Sequence, residues 1–292
     1  MKIIISRKGL DSTTKYGGIP SPIIINKDGS YTSVPIPIMS NREKSDIKYS
    51  LLEKDSHNFG EILTGLKPAI AEEYCHLDPD LNKSGLKDRS ENWAPAFGQD
   101  WAAQSVLSNQ GVKSGDIFLF MGYYRFAEQI GKAYRYIHKP EYPSHMHYIF
   151  GYMQIKGSFL VIENKIPDYL KYHPHYKFHQ FYSPQSQANN TIYEAEDYLK
   201  TTAGVTKIPG FGYFKFNQQL ILTRKGFSRS NWELPDFFHP DYGTEMGYDK
   251  KERWEKNGEF VNLKSVPKGQ EFVVSNSSKV VNWALDLIYK FT

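Results

Sequence analysis

Two long apolar runs near the middle of the chain limit most severely what it can become: GDIFLFMGYYRF at residues 115–126 and HMHYIFGYMQI at 145–155, with KAYRYI between them at 132–137. Aromatic and β-branched side chains dominate all three segments and suit a pleated, half-buried surface. Gly or Pro turns separate them. The natural reading is a meander of strands, which needs cover from other elements because so much apolar surface cannot face water.

Other segments supply that cover. MKIII reads as a short buried strand, followed by the Ser-, Thr-, Gly- and Pro-rich loop SRKGLDSTTKYGGIPSP. IIINKDGSYTSVPIP forms a hairpin around Asp28-Gly29, a pairing suited to positive φ. SHNFGEILTGL predicts a helix with Ser56 as N-cap, and DWAAQSVLSNQG a second from Asp100 to Gly111. NNTIYEA, FGYFKFNQQLILT and GQEFVV are further strand candidates, while SSKVVNWALDLIYKF has the spacing of an amphipathic C-terminal helix. The fold class is therefore α+β: a mixed, mostly antiparallel sheet, or a small barrel core, with flanking helices. The order of elements between about 95 and 165 resembles small PUA- and EVE-like barrels, which bind bases. No repeat or low-complexity linker divides residues 1–292, so one domain is expected, with a barrel-like core over that interval.

The opening MKIIISRKG carries only a three-residue apolar run, and nowhere do 18 apolar residues run together. A cytoplasmic protein without a membrane anchor is expected. The single cysteine, Cys75, excludes an intrachain disulfide and a Cys-rich zinc site. Net charge is only +4, but charge is unevenly placed. Between Tyr198 and Trp232 no acid occurs, while Lys200, Lys207, Lys215, Arg224, Lys225 and Arg229 alternate with aromatic residues. Such a mixture suits a phosphate-bearing strand with exposed bases, or equally a hairpin with buried rings and solvated lysines. P-loop, GxGxxG, GxSxG, HExxH and deaminase-type zinc signatures do not occur.

Three groups of residues carry candidate chemistry. In CHLDPDL, His76, Asp78 and Asp80 alternate, so an extended segment would crowd an imidazole and two carboxylates on one face. Arg7 or Lys8, or a divalent metal ion, is expected to neutralise them, with Asp78, Asp80 and His76 as ligands and Asp11 and the Gly17-Gly18 pair nearby. The competing reading makes Asp78 a turn residue before Pro79. Histidines form the second group: His145 and His147 share a strand face, and Pro174 presents His173 and His175 from a loop. Gln99, Gln104, Gln110, Arg125, Asn189 and Asn190 form the third, with the donors and acceptors that read base edges or clamp phosphate.

The ordered set SRKGLDS (6–12), GGIPSPI (17–23), CHLDPDL (75–81), FGQDWAAQ (97–104), NQGVKSGDIFLFMGYYR (109–125), HYIFGYMQI (147–155), HPH (173–175), NNTIY (189–193) and GQEFV (269–273) resembles the third family of nucleotide-modification-associated domains. The resemblance covers nearly the whole chain. It departs at Leu10, in a Thr-Thr-Lys-Tyr insertion before Gly17, and at Asp100-Trp101. It implies a role in handling modified bases of phage and bacterial DNA, and it singles out His147, His173 and His175 among the mid-chain histidines.

Together these readings predict a protein that modifies a nucleotide or DNA base, with nucleic acid or nucleotide as partner. His76, Asp78, Asp80, His147, His173 and His175 form the expected catalytic set, aided by a divalent metal ion. Arg7, Lys8, Asp11, Gln99, Gln104, Arg125 and Asn190 are expected to bind substrate. The alternatives are a non-catalytic reader of modified bases and a nuclease directed at modified or foreign DNA.

Overall fold

The structure, a computed structural model of the chain, describes residues 1–10, 18–87, 89, 91–163, 165–179, 188–247, 250–266, 269–275 and 277–292. Its centre is an eleven-stranded sheet. In chain order the strands are β1 (Ile3–Arg7), β2 (Ser21–Ile25), β3 (Tyr31–Ser33), β4 (Ala96–Gln99), β5 (Ile117–Ile130), β6 (Ala133–Tyr136), β7 (Met146–Leu160), β8 (Thr191–Ala195), β9 (Phe211–Tyr213), β10 (Glu245–Met246) and β11 (Glu271–Ser275). The helices are α1 (Phe59–Leu66), α2 (Trp101–Asn109), α3 (Pro174–His179) and α4 (Ser278–Phe291).

The two long apolar runs become β5 and β7, antiparallel partners with Met146 opposite Tyr124 and Gln154 opposite Ile117. They are not successive rungs of a simple meander, because β6 turns back only on the end of β5. Beyond β5, β1 pairs parallel with its first half and β2 with its second. Beyond β7 the order continues to β8 and then β4, while β11 and β10 extend the sheet past β1. Among the described residues this sheet stays open, so the small barrel expected over about 95–165 does not form. Its strands belong to a wider sheet that also draws on both ends of the chain.

Alternation along the strands sorts side chains onto two faces. On one, Phe118 and Phe120 pack against Phe97 of β4, and Ser6 lies beside Glu271. On the other, Trp232 packs against Phe272 and His147, and Phe238 meets Trp283 of α4 edge to face. Ser277 caps α4 by accepting the Val280 N–H, and its apolar stripe follows the expected spacing. α1 starts later than its sequence suggests: Asn58, not Ser56, is the cap, and Ser56 sits in a left-handed turn at φ +66°. Gly29, at φ +83°, closes the β2–β3 hairpin as expected. Among the described residues, no helix is long and apolar enough to cross a membrane.

His147 is committed to this second face. Its Nδ1 accepts the Trp232 Nε1–H at 2.8 Å, and it lies inside the core rather than beside the other expected catalytic residues. Burial, with Arg7 and Arg229 adding to it, holds its pKa well below the ordinary histidine value. The folded protein therefore keeps His147 neutral at pH values where the unfolded chain takes up a proton, and stability falls as pH drops below about 6.5. His147→Asn preserves an acceptor for Trp232 and removes this titration. Urea melts between pH 7.5 and 5 should show a shallower loss in the variant, by up to about 1.4 kcal/mol per pH unit; equal slopes would rule out this linkage.

Candidate functional site

Four backbone elements bring the site together. Tyr74–His76 pairs with Ile38–Ser40, setting His76 opposite Ile38. The chain then runs along the edge of β4, where Asp80 and Ala96 exchange backbone hydrogen bonds at 2.9 and 3.1 Å. Between those anchors Asp78 accepts the Gly98 N–H on Oδ1 at 2.9 Å. β4 pairs with β8, and the residue just before β8, Asn190, grips His175 on α3. Asn190 Nδ2 donates to the His175 carbonyl at 2.9 Å, and its Oδ1 lies 2.7 Å from His175 Nδ1.

That pair of contacts settles the state of the ring. Because the Asn190 amide nitrogen is spent on a carbonyl, its oxygen faces Nδ1, which must then carry the proton. In neutral His175 the lone pair is left on Nε2, which faces Asp78. Gly98 makes the approach possible. A Cβ there would stand 2.2 Å from His175 Cδ2, so any side chain would displace the ring.

Asp78 is ringed by imidazoles. Its Oδ1 lies 3.4 Å from His173 Nε2, and its Oδ2 lies 3.6 Å from His175 Nε2 and 3.9 Å from His76 Nε2. His173 Nε2 is buried and makes no hydrogen bond of good geometry. One ligand atom each from His76, Asp78 and His175 fall within 4.8 Å of one another. Burial opposes charge on Asp78, but the adjacent His173 and His175 imidazoles outweigh it and hold the carboxyl well below its usual range. Burial, reinforced by His175, pulls His76 down to about 3. On His175 burial pulls the same way, but Asp78 outweighs it and the pKa rises.

The other carboxylate of CHLDPDL has a different partner. Arg89 grips Asp80 through both nitrogens at 2.5 and 2.7 Å, and Trp93 Nε1 donates to it at 3.0 Å. Burial pushes the Asp80 carboxyl up while Arg89 opposes that shift. Neither Arg7 nor Lys8 supplies the expected countercharge. They leave β1 toward opposite faces: Arg7 donates to the Val266 carbonyl at 3.3 Å and lies over Phe272, whereas Lys8 pairs with buried Glu271 at 2.9 Å. Glu271 Oε1 also accepts from Ser6 at 3.0 Å and from Gln99 at 2.5 Å.

The remaining expected residues divide. Gln99 and Asn190 stand in the site's supporting network, as does His173. Gln104, buried, accepts from Tyr193 at 3.0 Å and works inside the core. Arg125 stacks over Tyr136 at 4.8 Å, on the strand face that also carries His147 and away from Asp78. His145 meets Tyr123 at 2.5 Å. Asp11 lies outside the described residues. HPH is not a loop at both ends, since His175 already belongs to α3. Cys75 is buried, and its thiol is pushed up by that burial; it takes no part.

A cleft of about 540 Å³, open solvent included, runs along Asp78, Pro79 and Asp80. Lys8, Lys54 and Arg89 supply cations to its lining, and Phe59, Phe150 and Tyr213 supply rings. Of the rings in the acid-free segment after Tyr198, Phe214 is buried and Phe216 packs on the core, while Phe227 is exposed. That segment is thus mainly the hairpin-and-core alternative. Sequence reasoning missed Arg89, Glu271 and Gly98. Glu271 has a signal as the one charge within the apolar strand GQEFV, but its partners Lys8 and Gln99 are distant in sequence, whereas Arg89 lies among the other charges of LKDRSENW.

A family model described as nucleotide modification associated domain 3 matches residues 2–275. No curated protein and no solved structure matches the chain.

Two substitutions test this geometry. Gly98→Ala should leave the fold intact but displace the His175 ring, visible as a shifted His175 imidazole resonance; an unmoved resonance contradicts the close approach. Arg89→Met strands a buried carboxylate and should cost about 3–5 kcal/mol in urea unfolding. A loss under about 1 kcal/mol, the scale of an exposed pair, would contradict the burial of this pair.

Proposed function

The chain belongs to the nucleotide modification associated domain 3 family, and on that premise we propose that it is an enzyme that modifies a nucleotide or DNA base. In this proposal His76, Asp78 and His175 hold a divalent transition-metal ion beside the cleft, and the nucleotide enters the cleft. The observation that carries the reading is the donor set: two imidazole nitrogens and a carboxylate within 4.8 Å, with the His175 proton fixed on Nδ1 by Asn190.

The donors fit such an ion chemically. Ligands at about 2.1 Å from a metal stand roughly 3.0–3.5 Å apart when adjacent, so the 3.6 and 3.9 Å separations need only small closure. Two histidines and one carboxylate suit ions of the manganese-to-zinc range and leave coordination positions open. A metal held there supplies Lewis-acid chemistry, and an iron-class ion supplies redox chemistry as well.

The protein's own groups account for the rest. Asn190 and the Gly98 N–H orient two ligands from outside, as second-shell partners do. Lys8 and Arg89, each matched to a buried acid, keep those acids from competing for the ion, and with Lys54 they stand in a lining that also carries Glu53, Asp78 and Asp80. Phe59, Phe150 and Tyr213 offer it flat apolar surface. Cationic side chains and rings in one cleft suit a phosphate joined to a base. Asp80 serves here as a structural acid paired with Arg89 rather than as a ligand. The reader alternative drew on a small PUA- or EVE-like barrel, and among the described residues the sheet stays open.

The test incubates purified protein, loaded separately with Mn²⁺, Fe²⁺ or Zn²⁺, with unmodified and phage-derived modified DNA and with free nucleotides, followed by nucleoside mass spectrometry. A metal-dependent change in a nucleoside, lost in Asp78→Asn and His175→Ala, is expected. Substrate that stays bound but unaltered would point to a reader, and shortened strands with unaltered bases to a nuclease. Asn190→Ala should weaken metal binding roughly 10- to 100-fold in a chelator competition; unchanged affinity would remove Asn190 from the shell.

A further inference from the structure

Three residues beyond the Asp78–Gly98 contact, the chain makes a turn that packing alone does not require. Trp101, the first residue of α2, has φ +50°. The left-handed region favours Gly, Asn or Asp and is rarely occupied by a bulky side chain. The other described non-glycine residues with positive φ are Asp55 and Ser56, small polar residues in a tight turn.

The conformation is held from both sides. Asn189 Oδ1 accepts the Trp101 N–H at 3.1 Å, and Asn189 Nδ2 donates to the Trp101 carbonyl at 2.7 Å and to Ser105 Oγ at 3.0 Å. Immediately before it, Gln99 Oε1 accepts the Asp100 N–H at 3.1 Å. Asp100 occupies the N-cap position of α2 without a side-chain cap bond and lies among the charges of His175, Asp78 and Lys8, so Trp101 adjoins the proposed metal cluster through its chain neighbour.

The indole of this clamped residue is not buried by way of compensation. Trp101 is 49% exposed, whereas Trp232 is fully enclosed. A strained backbone, a dedicated two-sided clamp on that backbone and a large exposed indole next in sequence to Asp100 together indicate a function outside the fold's own packing. Indole faces are the strongest of the natural platforms for a nucleobase.

We propose that Trp101 is a stacking platform for the base of the substrate, so that the substrate class is a nucleotide with an unstacked base: a free nucleotide, a single strand, or a base turned out of a duplex. This rests on the nucleotide-modifying reading of the same site. A stacking platform is blind to base identity, because every base has a flat face, so discrimination falls to groups that meet the base edge. Asn189 and Asn190, adjacent in sequence, then divide the work: one sets the platform, the other sets the His175 tautomer.

The test measures, by calorimetry on the full chain, binding of each common deoxynucleoside monophosphate, a short single strand, a duplex, and deoxyribose 5-phosphate, which lacks a base. Trp101→Gly and Trp101→Phe are compared with wild type, with metal content measured in parallel. Trp101→Gly should weaken the monophosphates and single strand by roughly tenfold or more and leave deoxyribose 5-phosphate and bound metal unchanged. Its melting temperature should hold or rise, because glycine accepts φ +50° without strain. Trp101→Phe should keep most of the binding. Preference for the free nucleotide, the single strand or the duplex identifies the source of the base. A lower melting temperature with unchanged base affinity would overturn the proposal, as would equal loss of base-bearing and baseless ligands, or wild type that binds none of the base-bearing ligands. Metal-free wild type with Trp101-dependent base binding would instead overturn the metal centre and leave the platform standing.

Discussion

A carboxylate taken out of water must be met by charge or by hydrogen-bond donors, and around Asp78 that requirement organises everything nearby. Three imidazoles and one backbone N–H converge on it within 3.9 Å. To bring them there the chain must run along the edge of β4, Gly98 must lack a side chain, and Asn190 must hold α3 against β8. The neighbouring buried acids, Asp80 and Glu271, each have a dedicated cation in Arg89 and Lys8. Asp78 alone among these three is met by histidines in place of a dedicated Lys or Arg.

The sheet explains why the candidate residues separate as they do. Consecutive residues leaving a strand point to opposite faces, so Lys8 joins Glu271 and the site while Arg7 joins Phe272 and His147 on the far side. The same alternation carries Tyr123 and Arg125 away from Phe118 and Phe120. Two neighbourhoods of cations and imidazoles that look continuous in the sequence are thus kept apart by the thickness of the sheet.

Much of the fold is legible in the residues. The aromatic runs at 115–126 and 145–155, the Asp28-Gly29 turn and the stripe of the last helix each carry a local signal strong enough to survive packing. The sheet's closure was not legible, because whether strands close a barrel depends on pairings between distant segments, such as β1 with β11 and β4 with β8. The approach of His76, Asp78, His173 and His175 was foreshadowed by their types and spacing. Their separation from Asp80 was not, since Arg89 carries no mark in LKDRSENW that assigns it to Asp80. His147 shared the chemistry of the cluster but sat on a strand whose pleat sends it to Trp232.

In the proposed function His76, Asp78 and His175 form one metal-binding centre. The most direct measurement is anomalous diffraction from crystals soaked in Co²⁺ or Mn²⁺. One buried peak is expected about 2.0–2.2 Å from both imidazole nitrogens and from an Asp78 oxygen. Ions found only at surface acids, with Asp78 still closed on the histidines, would contradict it.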